Sequence, residues 1–216
     1  MSDPLGGVVD TRVDVQNLFD VYLWIGVAVA AIIFGAVGFA ALRYRRRPGR
    51  EPSRRSDAMR VELAYVGVLV VIAAGLVTAT FTTEDKVDAV SDDPALRVDV
   101  TAFQWGWTWR YSDGVTVTGN SEAPPTFAVP TDSPVRFTLT SRDVIHAFWI
   151  PDQRFKRDAF PNRTTQFDLD FDKPGMNGGV CAEFCGLRHS QMAFNVLALS
   201  DPDFQSWLAE RGGVGP

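Results

Sequence analysis

Cysteine and histidine are nearly absent: the 216 residues hold two of each. No C-x-x-C-H occurs, which excludes attachment of a c-type haem to this chain. Neither an internal repeat nor a low-complexity segment is present, so solenoid and array architectures drop out. Charge is missing from two long runs, residues 21–42 (VYLWIGVAVAAIIFGAVGFAAL) and 63–83 (LAYVGVLVVIAAGLVTATFTT). At ~1.5 Å rise per residue each run makes a helix of roughly 30 Å, the thickness of a bilayer core. Core helices of a soluble domain carry a polar stripe, and neither run has one. Both are read as membrane spans. A basic n-region is also lacking: the residues ahead of the first run, MSDPLGGVVDTRVDVQNLFD, contain four aspartates and one arginine, so a cleaved signal peptide is not expected and the N-terminus is read as retained.

What is present between the runs is arginine. The segment RYRRRPGREPSRRSDAMR, residues 43–60, holds eight arginines against Glu51 and Asp57. The positive-inside rule puts this loop in the cytoplasm and both chain ends outside, which makes the protein a multi-pass component of the cell membrane in contact with lipid. The expected division is an extracytoplasmic segment over 1–20, a hairpin over 21–83 and an exported domain over 84–216. Residues 82–216 carry nineteen acidic and twelve basic side chains, a balance of −7 that attracts a basic partner. No nucleic-acid partner is expected. Asp113, Glu122, Asp152 and Asp158 are the acids expected around the functional site.

After the polar segment TEDKVDAVSDDP, short alternating runs bounded by Pro, Gly, Asp and Asn read as strands. In VRFTLT, Val135, Phe137 and Leu139 share a face. In QFDLDF, Phe167, Leu169 and Phe171 point inward, while Gln166, Asp168 and Asp170 are expected to face water. MAFNVLAL puts Met192, Phe194, Val196 and Ala198 on one side. Trp105, Trp107, Trp109 and Tyr111 alternate along FQWGWTWRY as one face of a strand. A single helix closes the chain, with Asp201 as its cap, Pro202 in the first position, and Phe204, Trp207 and Leu208 at helical spacing. Roughly 110 residues of strands with one terminal helix predict a β-sandwich or Greek-key barrel.

The scarce residues are concentrated. CAEFCGLRHSQM, residues 181–192, contains both cysteines, His189 and Met192, and the only other histidine, His146, lies in DVIHAFWIP at the inner edge of a predicted strand. Two cysteines in an exported domain can form a disulfide. Two thiolates and two imidazoles also suit tetrahedral zinc, but a thioether is a soft ligand that copper accepts and zinc seldom does. A mononuclear blue-copper site needs two His, one Cys and an axial Met, which leaves one cysteine unused. A pair of thiolates bridging two copper ions uses every donor. Spacing alone allows Cys181, Cys185 and His189 to line a helix face, whereas Gly178, Gly179 and Gly186 favour a ligand loop between strands.

C-x-E-x-C-x₃-H-x₂-M with an upstream histidine resembles the CuA signature of cytochrome c oxidase subunit II. TSRDVIHAFWIPDQRFKRDAFPNR and FQWGWTWRY resemble that family's first-histidine strand and aromatic segment. The resemblance covers nearly the whole chain after residue 15. It implies a two-helix transmembrane hairpin followed by an all-β cupredoxin-like Greek-key domain with a short C-terminal helix. It further implies a binuclear copper centre in which Cys181 and Cys185 bridge, His146 and His189 are imidazole ligands, Met192 is a weak thioether ligand and Glu183 gives its backbone carbonyl. The Glu183 carboxylate is expected to meet a magnesium ion shared with the catalytic subunit, and Trp105 is expected to be where electrons enter. Glu62 is read either as a carboxylate where protons enter or as an interfacial charge, because VELAYVGV lacks the Trp-Thr that frequently follows it in the family. The implied role is an electron-transfer subunit of cytochrome c oxidase. It would take electrons from cytochrome c or another small redox donor and pass them to a haem-bearing catalytic subunit, among other oxidase subunits, where oxygen is reduced and protons are translocated. A CuA subunit of a related nitric oxide reductase and a copper-delivery protein of thioredoxin type are the alternatives.

Overall fold

A computed structural model describes residues 11–45, 49 and 58–212. The expectations for residues 1–10 and for most of the arginine-rich loop, including Arg46, Arg47, Arg50, Arg54 and Arg55, lie outside the described residues, as do 213–216. By its contacts the chain forms two units: Val15–Glu84, and the part that begins at Asp85.

The first unit is built on α1 (Thr11–Arg43) and α2 (Met59–Val87), both long and apolar enough to cross a membrane. Each helix outruns its charge-free stretch. The start of α1 takes in Thr11 through Asp20, where Asp14 in the first turn complements the positive end of the helix dipole. The far end of α2 absorbs Glu84, Asp85 and Lys86, so the polar segment expected after residue 82 begins as helix, with Lys86 suiting its negative end. Polar contacts join the two helices: the Tyr22 hydroxyl lies 2.7 Å from that of Thr80 and donates to the Leu76 carbonyl at 3.3 Å, and Lys86 Nζ lies 3.9 Å from Asp14 Oδ1.

The second unit is a sandwich of two five-stranded sheets. The first has the order β3-β2-β1-β5-β8, with β1 Leu96–Phe103, β2 Gly106–Tyr111, β3 Thr116–Asn120, β5 Val135–Ser141 and β8 Thr165–Leu169. The second has the order β4-β10-β9-β6-β7, with β4 Thr126–Pro130, β6 His146–Ile150, β7 Phe155–Ala159, β9 Gly175–Cys181 and β10 Ala193–Leu199. Parallel pairing of β1 with β5 and of β10 with β4 marks a Greek-key crossing between otherwise antiparallel neighbours. The period-2 readings give the core: Val135, Phe137, Leu139, Phe167, Leu169, Phe171, Phe194, Val196 and Ala198 are all buried. Aromatic rings fill the space between the sheets, with Phe148 stacked on Phe194 at 4.8 Å and Trp109 on Phe127 at 4.5 Å.

Three local expectations need correction. Asp168 does not face water. It is buried and ion-paired to Arg136, which stands directly across from it in the β5–β8 register. The closing helix α3 (Asp201–Ala209) has Ser200, not Asp201, as its N-cap, which moves Pro202 one position inward; Phe204, Trp207 and Leu208 are buried as their spacing required. Trp107, Trp109 and Tyr111 do line the inner face of β2, but Trp105 belongs to the β1–β2 turn and is only half-buried, because the strand begins at Gly106. A Cβ on Gly106 would lie 2.3 Å from the Gly119 carbonyl, so the close approach of β2 and β3 admits only glycine there.

Candidate metal centre

Strand geometry gathers the scarce residues at one end of the sandwich. His146 opens β6 and Cys181 closes β9, and these two strands are hydrogen-bonded neighbours. The chain then loops through residues 182–192 before β10. The base of this loop is shut by the Cys181 N–H donating to the Met192 carbonyl at 2.9 Å, and a short 3₁₀ turn at His189–Gln191 aims the second histidine back at the cysteines. The donors therefore sit on a loop between strands, not on a helix face.

Both cysteines are free and buried, with their sulfurs 3.8 Å apart. That is well beyond the ~2.05 Å of a disulfide. Each sulfur has its own imidazole: His146 Nδ1 lies 3.8 Å from Cys181 Sγ, and His189 Nδ1 lies 3.7 Å from Cys185 Sγ. The Met192 thioether is 3.8 Å from Cys185 Sγ, and the Glu183 carbonyl is 3.3 Å from Cys181 Sγ. Donors that share one tetrahedral metal are separated by roughly 3.5 Å. Two thiols, two imidazoles, a thioether and one carbonyl, most of them buried and gathered against one another, form a soft set that suits copper better than zinc.

Charge in the cluster is divided unevenly. Burial alone would raise the Cys181 thiol, yet hydrogen bonding to the His146 ring and to the backbone at Ala147 brings it down to about 6. Burial and the charge on Cys181 push Cys185 up to about 12. Burial pulls His146 down, but its contacts with Cys181 and Asp143 hold it above its ordinary value.

Sequence reasoning missed the supports behind these donors. Asp143 Oδ1 is 2.8 Å from His146 Nε2, so the ring places its proton there and turns the Nδ1 lone pair to the sulfurs. The other Asp143 oxygen accepts from the Gln104 N–H at 2.7 Å. Gln104 Nε2 and Trp105 Nε1 both donate to the Cys185 carbonyl, at 2.7 and 3.1 Å. Gly186, the next residue, has φ +116°, and a Cβ there would come within 3.1 Å of both side chains. An acid three residues ahead of a candidate histidine ligand is the one signal that could have revealed Asp143.

The remaining predicted residues lie as follows. The Glu183 carboxylate is met by Lys156 Nζ at 2.5 Å. Glu62 accepts the Ala58 N–H at 3.2 Å in the first turn of α2, a local capping contact. Of the four acids expected around the site, Glu122 and Asp158 are near it, since Glu122 pairs with Arg188 of the ligand loop and Asp158 stands beside Ala147 in the β6–β7 register. Asp113 and Asp152 are not. Asp113 sits in the β2–β3 turn and Asp152 in the turn after β6, both at the opposite strand ends, roughly 15–20 Å away at ~3.3 Å per residue.

Fold and site together define a class: a cupredoxin-like domain with a candidate copper site, carried behind two apolar helices that can span a membrane. The family model for the periplasmic domain of cytochrome c oxidase subunit II matches residues 122–199. The "Probable cytochrome c oxidase subunit 2" of Streptomyces avermitilis is 29% identical over 242 residues, covering 89% of this chain and 76% of its own. Cytochrome c oxidase subunit 2 of Corynebacterium diphtheriae is 26% identical over 265 residues, covering 92% and 73%. The crystal structure of the periplasmic domain of subunit II of cytochrome oxidase of Bradyrhizobium japonicum matches with a TM-score of 0.53 and 28% identity, over 57% of this chain and 97% of that one. Over most of its length the chain is similar to cytochrome c oxidase subunit 2 proteins, and its β-domain is similar to their periplasmic domain. It is accordingly a membrane protein with an extracytoplasmic domain.

Proposed function

We propose that this chain is the electron-accepting subunit of a haem-copper terminal oxidase, taking single electrons from cytochrome c or a similar small donor and passing them to haem in a catalytic subunit. The observation that carries this reading is the pair of cysteine sulfurs in mutual contact, each with its own imidazole. His146, Cys181, Cys185, His189, Met192 and the Glu183 carbonyl would hold a binuclear copper centre of the CuA type. Copper, when bound, supplies a reversible one-electron couple. The protein's part is rigidity: Asp143 fixes the tautomer of His146, and the Gln104–Trp105 pair grips the Cys185 carbonyl. Trp105 is the candidate residue where electrons enter, one hydrogen bond from the peptide that bears a bridging sulfur.

The proposed layout keeps residues 1–20 and 84–216 outside the plasma membrane, the hairpin within 21–83, and the arginine-rich loop 43–60 in the cytoplasm. A magnesium ion at Glu183, shared with the catalytic subunit, would have to displace the Lys156 ammonium. Glu62 is retained as a candidate where protons enter a partner channel, against its local capping role. The two-sheet fold argues against the thioredoxin-type copper-delivery reading.

The test is metal analysis of the full chain purified in detergent and supplied with copper and zinc together. Two coppers per chain, a purple colour and a seven-line mixed-valence electron paramagnetic resonance pattern are expected. Zinc retained in preference to copper, or a single blue copper, would overturn the reading. Oxygen or nitric oxide consumption by the co-purified catalytic subunit separates oxidase from nitric oxide reductase.

A further inference from the structure

Three guanidiniums stand at the end of the helical hairpin away from the Tyr22–Thr80 contact. Arg43 closes α1 directly after the charge-free run 21–42, Arg45 follows two residues on, and Arg60 lies in the first turn of α2, ahead of the run 63–83. Along α1 from Tyr22 to Arg43, and along α2 from Thr80 back to Arg60, the distance is about 30 Å at ~1.5 Å per residue. That is the thickness of a bilayer's hydrocarbon core. The three charges therefore share one level, where the apolar part of both helices ends.

All three are exposed, and among the described residues none has a carboxylate within 4.0 Å. Glu62, the acid nearest to Arg60 in the described sequence, accepts the Ala58 N–H of its own helix start. Arg43 lies 5.8 Å from the ring centroid of Tyr44, an exposed aromatic of the kind that sits at headgroup depth. The helix dipole accounts for Arg43 in the last turn of α1, but it opposes Arg60, because the first turn of α2 favours an anion. Arg60 thus keeps its charge against the preference of its own helix. A guanidinium presents two parallel N–H groups that match the oxygens of a phosphate.

We infer that Arg43, Arg45 and Arg60 form a seat for the phosphodiesters of anionic phospholipids in the leaflet that borders the arginine-rich loop. The layout proposed above enters only in naming that leaflet as the cytoplasmic one. The physical step is depth. Guanidiniums fixed at the ends of spanning helices are held at phosphate level, whereas charges farther along the loop fade beyond ~8 Å at physiological salt. These three of the loop's eight arginines therefore carry most of the lipid preference.

The experiment places the metal-free full chain in nanodiscs of phosphatidylglycerol and phosphatidylcholine in equal parts, at about 0.15 M salt. Trace spin-labelled lipid of either kind reports, by electron paramagnetic resonance, how much of each is immobilised at the protein. Wild type should hold the phosphatidylglycerol label severalfold more than the phosphatidylcholine label. Arg43→Gln, Arg45→Gln and Arg60→Gln combined should abolish that preference, with single changes losing up to about fivefold each, the size of one charge at the membrane surface. Lysine at the same three positions should restore most of it, which a variant that had merely lost its hairpin would not show. Arg50→Gln, Arg54→Gln and Arg55→Gln combined remove equal charge from the loop and should keep most of the preference. Equal loss from both triple variants, no wild-type preference, no recovery with lysine, or displacement of the phosphatidylglycerol label by millimolar inorganic phosphate would overturn the inference. The leaflet is tested separately, by protease access to residues 43–60 in intact cells: a loop cut from outside corrects the layout and leaves the headgroup seat in place.

Discussion

At the end of the sandwich where β1 and β5 begin, the buried polar side chains of Arg136, Asp168 and Tyr111 have found partners within the protein. Arg136 and Asp168 pair across β5 and β8 and together hold both backbone groups of Ser91, whose N–H donates to Asp168 at 2.6 Å. The Tyr111 hydroxyl donates to the Ala128 carbonyl at 2.6 Å and accepts the Ala128 N–H at 3.0 Å. At the opposite end, two thiols, two imidazoles and a thioether are gathered with little but one another to bind. Thiol contacts are weak, and burying this many donors side by side yields little folding free energy. The first end is finished by the chain itself; the second is complete only with something the chain does not encode.

The largest expected effect tests that second end. Cys185→Ser should abolish the two-copper spectrum outright, because Cys181 would be left as the one thiolate of the site, while the unfolding midpoint of the metal-free chain moves little. A large fall in metal-free stability would mean that the donor cluster is an ordinary part of the core and would break the contrast.

The mirror experiment is Asp168→Ala. It leaves the Arg136 guanidinium buried without its counter-charge, so urea denaturation of the β-domain should show a loss of about 3–5 kcal/mol, the usual cost of breaking a buried pair by removing one partner. Copper stoichiometry at low temperature should stay at the wild-type value, since the pair stands at the far strand ends. A concurrent loss of copper would show that the two ends are coupled.

A smaller effect is expected behind the ligands. Asp143→Ala removes the acceptor that fixes His146 with Nδ1 free, and supports of this kind typically contribute 10–100-fold in metal affinity. Competition with a copper chelator measures it. Asp143→Asn should recover part of the loss, because its carbonyl still accepts from Nε2, whereas a residue acting only through overall charge would not be rescued.

The contrast also explains what could be read beforehand. The strands were legible because burial enforces period 2, and Val135–Phe137–Leu139 or Phe194–Val196–Ala198 can alternate for no other reason. The donors were legible because His146, Cys181, Cys185 and His189 exhaust the chain's histidine and cysteine. What stayed hidden depends on contacts between residues remote in sequence. Asp168 reads as a solvent-facing position of an alternating strand until Arg136 is placed opposite it, and Gln104 gives no sign of reaching Cys185, eighty-one residues away. Net charge hides placement for the same reason: a sum over the domain does not say that Asp113 and Asp152 stand at the other strand ends, or that Glu122 is already matched by Arg188.

That match is the smallest term and the sharpest comparison, because the ligand end has its own ion pair. Glu122 Oε1 and Arg188 Nη1 are 2.6 Å apart, closely spaced like the Arg136–Asp168 pair, but their side chains are 70% and 43% exposed against 3% and 8% for Asp168 and Arg136. Water solvates each charge when the other is removed, so the loss is the 0–1 kcal/mol of a surface pair and not the several of a buried one. Glu122→Gln should therefore shift the denaturation midpoint barely above error and leave copper bound. A stability loss comparable to that of Asp168→Ala would mean that the Glu122–Arg188 pair is a structural clasp on the ligand loop, and the distinction between a finished end and an open one would have to be redrawn.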